Sequence, residues 1–140
     1  MSALGAVLRV HDRVYKASGG RIGHRVLGVP TLLLRTTGRR SGEVRTSSLV
    51  YARDDGDYLL VASKGGADEP PAWLLNLEAE PAVEIQIGRE RRKGRSRVVT
   101  PSDPDYARLW KIVNTENSDR YSAYQEETSR PIPVVVVTRE

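Results

Sequence analysis

Val44-Arg45-Thr46-Ser47-Ser48-Leu49-Val50-Tyr51-Ala52-Arg53-Asp54-Asp55-Gly56-Asp57-Tyr58-Leu59-Leu60-Val61-Ala62-Ser63 is the stretch from which the fold is read. Two runs rich in Val, Leu, Tyr and Thr, residue types that suit a pleated surface, flank a four-residue acidic turn. Gly56 accepts positive φ and Asp tolerates it, so Asp54–Asp57 closes a hairpin and makes Val44 to Arg53 and Tyr58 to Ser63 antiparallel neighbours. Outward from this hairpin, Thr31 to Thr37 is a further strand on the N-terminal side. On the C-terminal side Ala82 to Gly88 sets Val83, Ile85 and Ile87 against Glu84 and Gln86, the alternation of a half-buried strand. Arg95 to Thr100 is expected to pair with it across Gly88 to Gly94. The run Val134-Val135-Val136-Val137 within Ile132 to Thr138 suits a strand buried on both faces.

Helices are inserted between these strands. Pro101-Ser102-Asp103-Pro104-Asp105 opens one, with Ser102 or Asp103 as N-cap and Pro104 in its first turn, and Tyr106, Leu109, Trp110 and Val113 share one of its faces. A shorter helix is expected around Tyr121 to Ser129. Near the N-terminus Leu4, Val7, Leu8, His11, Val14 and Tyr15 recur at helical spacing opposite Arg9, Arg13 and Lys16, an amphipathic helix over residues 1–20 that ends at Gly19 and Gly20. It either packs on the barrel or lies on a membrane surface. The whole is a mainly β, α+β chain: a single domain over residues 1–140 built as a six-stranded antiparallel barrel, its edges closed by pairing the first and last strands.

Composition narrows the chemistry. The 140 residues contain no cysteine, which removes disulfides, thiolate nucleophiles and cysteine-ligated zinc and points to a reducing, cytoplasmic setting. No metal site is expected, because His11 and His24 have no partner at ligand spacing. The 22 Lys and Arg against 18 Asp and Glu leave a net charge of only +4, so where the charge lies matters more than its sum. Arg89, Arg91, Arg92, Lys93, Arg95 and Arg97 are read as an exposed strand edge kept soluble by repulsion. A nucleic-acid groove would need aromatic residues for stacking, and none stands between Trp73 and Tyr106.

Three groups of residues carry candidate chemistry. In Thr36-Thr37-Gly38-Arg39-Arg40-Ser41-Gly42-Glu43-Val44-Arg45-Thr46, two glycines permit a tight turn that presents backbone N–H groups, and Arg39, Arg40 and Arg45 place guanidinium forks beside them. Phosphate or carboxylate is the ligand such a loop suits; the alternative is a solvated hairpin tip. Next, Ser63-Lys64-Gly65-Gly66 leads toward the short helix bearing Trp73, Asn76 and Leu77, a second place to hold an anion or the polar edge of a ring. On periodicity alone Trp73 and Leu77 are core and Asn76 bonds to backbone. Finally Tyr121 and Tyr124, three apart on a helix, point two phenols the same way, either for packing or to steady a developing oxyanion.

In order from Pro30 to Val137 these pieces, Thr37-Gly38-Arg39-Arg40-Ser41-Gly42, Arg45, Leu49, Ser63-Lys64-Gly65-Gly66, Pro71-Ala72-Trp73, Asn76-Leu77, Pro81, Tyr121, Tyr124-Gln125 and Arg130-Pro131-Ile132-Pro133, resemble the deazaflavin-dependent nitroreductases, the A group of flavin/deazaflavin oxidoreductases found in actinobacteria. The resemblance implies a split β-barrel of the pyridoxamine-phosphate-oxidase-like, FMN-binding type, and an enzyme that moves a hydride from reduced coenzyme F420 to a quinone, an activated enone or coumarin-type lactone, or a nitroaromatic. Arg39, Arg40, Arg45 and Lys64 match positions that meet the phosphate and glutamates of the coenzyme tail. Leu49, Val61, Ser63, Trp73 and Asn76 match positions around the deazaflavin ring, and Val50, Gly65 and Gly66 are counted with them as cofactor-binding. Tyr121 or Tyr124 would stabilise or protonate the reduced acceptor. Two departures, Ser48 where proline is usual and Ser118 where nitroreductases often carry a further tyrosine, put nitro-drug activation in doubt. The remaining alternatives are an FMN-dependent flavin reductase on the same barrel and a deazaflavin carrier without turnover. Besides a small-molecule acceptor, the expected partners are a second copy or none, and the inner face of the membrane through the N-terminal helix.

Overall fold

A computed structural model describes residues 25–26 and 29–140, so the expected N-terminal helix lies outside the described residues. The strands are β1 (Arg25–Val26), β2 (Val29–Thr37), β3 (Val44–Val50), β4 (Ala52–Asp54), β5 (Asp57–Val61), β6 (Ala82–Ile87), β7 (Glu90–Val99) and β8 (Val134–Arg139). Helices α1 (Ala72–Ala79), α2 (Tyr106–Glu116) and α3 (Arg120–Glu126) are inserted between them, with a single 3₁₀ turn at Lys64–Gly66. Every pairing among the described residues is antiparallel.

The sheet curls into a ring, and it closes in a different way from the one expected. The first and last long strands, β2 and β8, do not pair; β8 lies between β5 and β7. Closure comes instead from the strand Val44 to Asp54, which breaks at Tyr51 and changes partner. Its first half, β3, pairs with β2 along Thr31↔Val50 to Thr37↔Val44, and its second half, β4, pairs with β5 along Ala52↔Leu59 to Asp54↔Asp57. Because one bent strand serves two neighbours, the six expected strands become seven, and the two-residue β1 adds an eighth. The hairpin turn at Asp54–Asp57 holds as expected, with Asp55 at φ 53°.

β7 also departs from expectation. It begins at Glu90, because the turn is only Gly88-Arg89 with Gly88 at φ 59°, and it is no edge, being bonded to β6 on one side and β8 on the other. Arg91, Lys93 and Arg95 therefore project from the outer face of an interior strand. Gly94 is needed for packing and not for a turn: a Cβ there would lie 2.9 Å from the Thr138 carbonyl and 2.9 Å from Val137 Cγ1. Helix α2 starts later than its sequence signal, at Tyr106 with Asp105 before it, while residues 101–105 form turns.

Alternation along β8 divides the core in two. Val135 and Val137 face inward with Leu32, Leu34, Leu60, Val83 and Ile85, and α1 adds Trp73, Leu74 and Leu77 to that cluster. Val134 and Val136 face outward under α2 and α3 with Leu59, Val61, Leu109, Val113 and Tyr121. Both faces of β8 are thus buried, as its unbroken valine run requires.

Candidate functional site

The first site is built where the β2–β3 hairpin meets α1. Gly38 N–H donates to the Glu43 carbonyl at 2.7 Å and Gly42 N–H to the Gly38 carbonyl at 2.8 Å, closing the loop through Gly42 at φ 74°. Gly38 is in a tight place, since a Cβ would sit 3.0 Å from both the Glu43 carbonyl and Ser41 Oγ. Asn76, almost wholly buried, fastens this loop to α1: its Oδ1 accepts from Arg39 N–H at 3.2 Å and from Arg39 Nη1 at 2.9 Å, and its Nδ2 donates to Thr36 Oγ1 at 3.3 Å. Arg39 is therefore engaged with protein. Arg40 is exposed, and Arg45 leans on Ser41 Oγ at 3.4 Å and Glu43 at 3.8 Å from positions open to solvent. Together Gly38, Arg39, Arg40, Ser41, Arg45, Ser47, Ala72, Trp73 and Asn76 enclose a pocket of about 330 Å³ with Trp73 at its wall.

The second site is the loop after β5. Ser63 is αR, and Lys64 (φ 46°), Gly65 (φ 64°) and Gly66 (φ 87°) all follow with positive φ. Gly66 is pressed against α3, where a Cβ would come 2.7 Å from the Tyr124 carbonyl; Gly65 faces open space. Arg130 holds the loop from the other side, donating to the carbonyls of Ala62 (3.2 Å), Ser63 (3.1 Å) and Ala67 (3.3 and 3.1 Å). Gln125 ties the same segment to α3 by donating to the Arg130 carbonyl at 2.8 Å and accepting from Ile132 N–H at 2.9 Å. Arg130 and Gln125 stand in the motifs that carry the resemblance, yet the sequence pattern gives neither of them a role; an arginine beside Pro131 after a helix is a faint signal of a carbonyl clamp.

Not every expected site residue joins one surface. Leu49 packs with the inward cluster that holds Trp73, and Val50 lies on the opposite face of β3. Val61 faces outward among the residues beneath α2 and α3. Tyr121 lies in that same outer cluster, 5% exposed, and Tyr124, half-buried, packs against the cluster with its ring centroid 6.3 Å from that of Tyr121. Burial pushes the Tyr121 phenol up to about 12 from the ordinary 10.0. The unfolded phenol ionises near pH 10 while the folded one keeps its proton to about pH 12. Stability from this group is thus complete below pH 10 and is lost as the pH rises toward 12, by at most about 1.4 kcal/mol per pH unit. Chemical denaturation across that window is expected to show a shallower loss for Tyr121→Phe; an unchanged slope would mean that Tyr121 is wet in solution.

Residues 7–139 match the F420H(2)-dependent quinone reductase family. An F420H(2)-dependent quinone reductase of Mycobacterium tuberculosis is 56% identical over 95% of this chain and 90% of its own. The chain belongs to this family. It is accordingly an F420-dependent oxidoreductase, and F420 is the coenzyme that membership brings. Among solved structures, an F420-H2 dependent reductase of the A type superposes with a TM-score of 0.69 at 34% identity, covering 77% of this chain and 93% of its own. A Listeria innocua protein of the pyridoxamine 5'-phosphate oxidase type superposes at 0.55 with 14% identity, covering 79% and 83%, which shows the shared split-barrel fold alone. The family match leaves the FMN alternative without support. Among the described residues no helix is long and apolar enough to cross a membrane.

The donor set fits F420. An anionic tail asks for exposed cations, and Arg40 and Arg45, the latter drawn only loosely to Glu43 at 3.8 Å, stand exposed on a loop whose backbone is tied by Gly38, Gly42 and Asn76. A planar ring asks for an apolar wall, and Trp73 is seated between pocket and core.

Proposed function

We propose that this reductase grips the anionic tail of F420 with Arg40 and Arg45, lays the ring against Trp73, and reduces a quinone-type acceptor with Tyr124 steadying the product anion. The observation that carries the reading is the Asn76 clamp, which sets the arginine loop against the helix bearing Trp73. Bound reduced F420 supplies the hydride. The chain's residues do the rest by position: Arg40 and Arg45 offer guanidinium forks to phosphate and carboxylate, and Arg39, held by Asn76, shapes the loop. Lys64, exposed and only loosely drawn to Glu69 at 3.8 Å, adds a cation at the second loop. Trp73, which lines the pocket, would exclude water from one side of the ring.

Between the two phenols, Tyr124 is the one assigned to the acceptor. It is partly open and three residues from Tyr121, whereas Tyr121 is enclosed by Leu109, Val113 and Ile132. Tyr124→Phe is expected to lower turnover about tenfold or more while leaving coenzyme affinity within about twofold, as for a group that acts in the transition state. Steady-state kinetics beside a coenzyme fluorescence titration checks this, and the reverse order would return Tyr124 to cofactor packing.

Quinone is the acceptor class put forward because the M. tuberculosis relative is named for it. The N-terminal sequence, with Leu4, Val7 and Leu8 beside Arg9, Arg13 and Lys16, has the composition that would suit contact with a membrane surface where lipophilic quinones dissolve. The decisive experiment is the oxidation of reduced F420 by menadione with purified protein, followed by its absorbance. Saturable turnover supports the reading. Tight F420 binding with no turnover on any quinone, enone or nitroaromatic would leave a carrier in its place.

A further inference from the structure

Arg130 is the least expected feature of the second loop. Its guanidinium makes four hydrogen bonds to three backbone carbonyls, and it takes no carboxylate partner among the described residues. Bonded wholly to neutral carbonyls, this cation keeps its charge. Its effect is on the direction in which peptides point.

In a trans peptide the carbonyl and the following N–H lie in one plane and point oppositely, and no described peptide here is cis. With Arg130 drawing the carbonyls of Ala62 and Ser63 toward itself, the N–H groups of Ser63 and Lys64 are turned away from it. The turn's own hydrogen bonds use the amides of Gly66, to Ser63 at 2.9 Å, and Ala67, to Lys64 at 3.2 Å. They leave the amides of Ser63, Lys64 and Gly65 out of the turn. Ser63 is αR and Lys64 has φ 46°, the αR-then-left-handed order in which successive amides converge on an anion. A positive charge at the carbonyl end also polarises these peptides and makes their N–H groups better donors. Gly65 keeps the approach open, because nothing lies within 4 Å of where its Cβ would be.

We infer that Arg130 is a positioning residue which holds the Ser63–Gly65 amides as a donor cradle for an electron-rich oxygen of the coenzyme, without touching the coenzyme itself. The inference rests on the proposed binding of F420. Gln125 and Gly66 extend it: the first carries the Arg130 backbone on α3, and the second lets the loop press against the Tyr124 carbonyl, so cradle and tyrosine helix move together.

The test measures binding as well as activity. F420 is titrated into wild type and Arg130→Lys by fluorescence at several salt concentrations, with thermal melting of each. A lysine keeps the charge but cannot span three carbonyls. The expected result is a dissociation constant raised tenfold or more with an unchanged salt slope, since the lost donors are neutral amides; Arg40→Ala, by contrast, lowers the slope. Millimolar guanidinium added to Arg130→Ala is expected to restore part of the affinity. Wild-type affinity in Arg130→Lys would overturn the inference while leaving the coenzyme assignment intact, and a lowered salt slope would make Arg130 a direct ligand and overturn it too. Should these variants fail to fold, amide hydrogen exchange of wild type decides: Ser63, Lys64 and Gly65 gain protection when F420 is added, or the cradle does not exist. If wild type binds no F420 at all, the proposed function falls first and this inference with it.

Discussion

Replacing Arg40 and Arg45 together by alanine is expected to weaken F420 binding about a hundredfold at low ionic strength, roughly tenfold for each charge-assisted hydrogen bond removed. Both guanidinium groups are exposed, and neither is fixed by a short ion pair: the nearest carboxylate to Arg45 is Glu43 at 3.8 Å, with both side chains more than half accessible. Their removal therefore costs the fold little. Exposed ionic contacts are screened, so the gap between variant and wild type is expected to narrow as salt rises through a few hundred millimolar. Arg39→Ala should behave differently. Its guanidinium and backbone N–H both end on Asn76 Oδ1, so the single variant also loosens the loop, and part of the lost affinity persists at high salt. Titration of both variants and wild type at four ionic strengths separates these roles. An Arg40→Ala, Arg45→Ala double variant that binds like wild type would remove the arginine loop from the coenzyme site.

Truncating Leu34 to alanine is expected to destabilise the chain by about 3 kcal/mol and lower its melting temperature by about 10 °C, the usual scale for a cavity in a closed core. Leu34 is fully buried on β2, opposite Ser47 of β3 and Ile85 of β6, and so sits where two neighbours of the ring meet. Val44, at the end of β3 and 67% exposed, is the contrast: Val44→Ala should shift stability by less than about 0.5 kcal/mol. Thermal and urea unfolding of both variants measures the difference. Equal melting temperatures would mean that the inward cluster is not the core that holds the barrel.

Much of this arrangement was legible from local pattern. The valine run of β8, the alternation of β6 and the acidic turn at Asp54–Asp57 each depend on residues within a few positions of one another, and each forms as read except that Gln86, expected on the polar face of β6, is buried. The arginine-glycine loop was legible for the same reason, because Gly38 and Gly42 set its geometry from within. What misled were features whose meaning depends on neighbours far away in sequence. The charges of β7 look like an edge when only one partner strand is considered, yet β8, some forty residues on, takes the other side. Gly94 looks like a turn residue until Val137 and Thr138 are set against it. Tyr121 and Tyr124 look equivalent at helical spacing, and only the packing of α2 under α3 separates a buried phenol from a half-open one.

Local alternation, turn chemistry and the clustering of cations near glycine determined by themselves that this chain is built of antiparallel strands with an arginine-glycine loop, since each is a property of neighbouring residues. The tertiary structure alone decided that one bent strand closes the ring, that Asn76 holds Arg39 from 37 positions away, and that Arg130 bonds the carbonyls of a loop up to 68 positions upstream. The physical reason is that a hydrogen bond or a buried contact between distant residues exists only once loop closure has brought them together, and no local pattern records which partner each will meet.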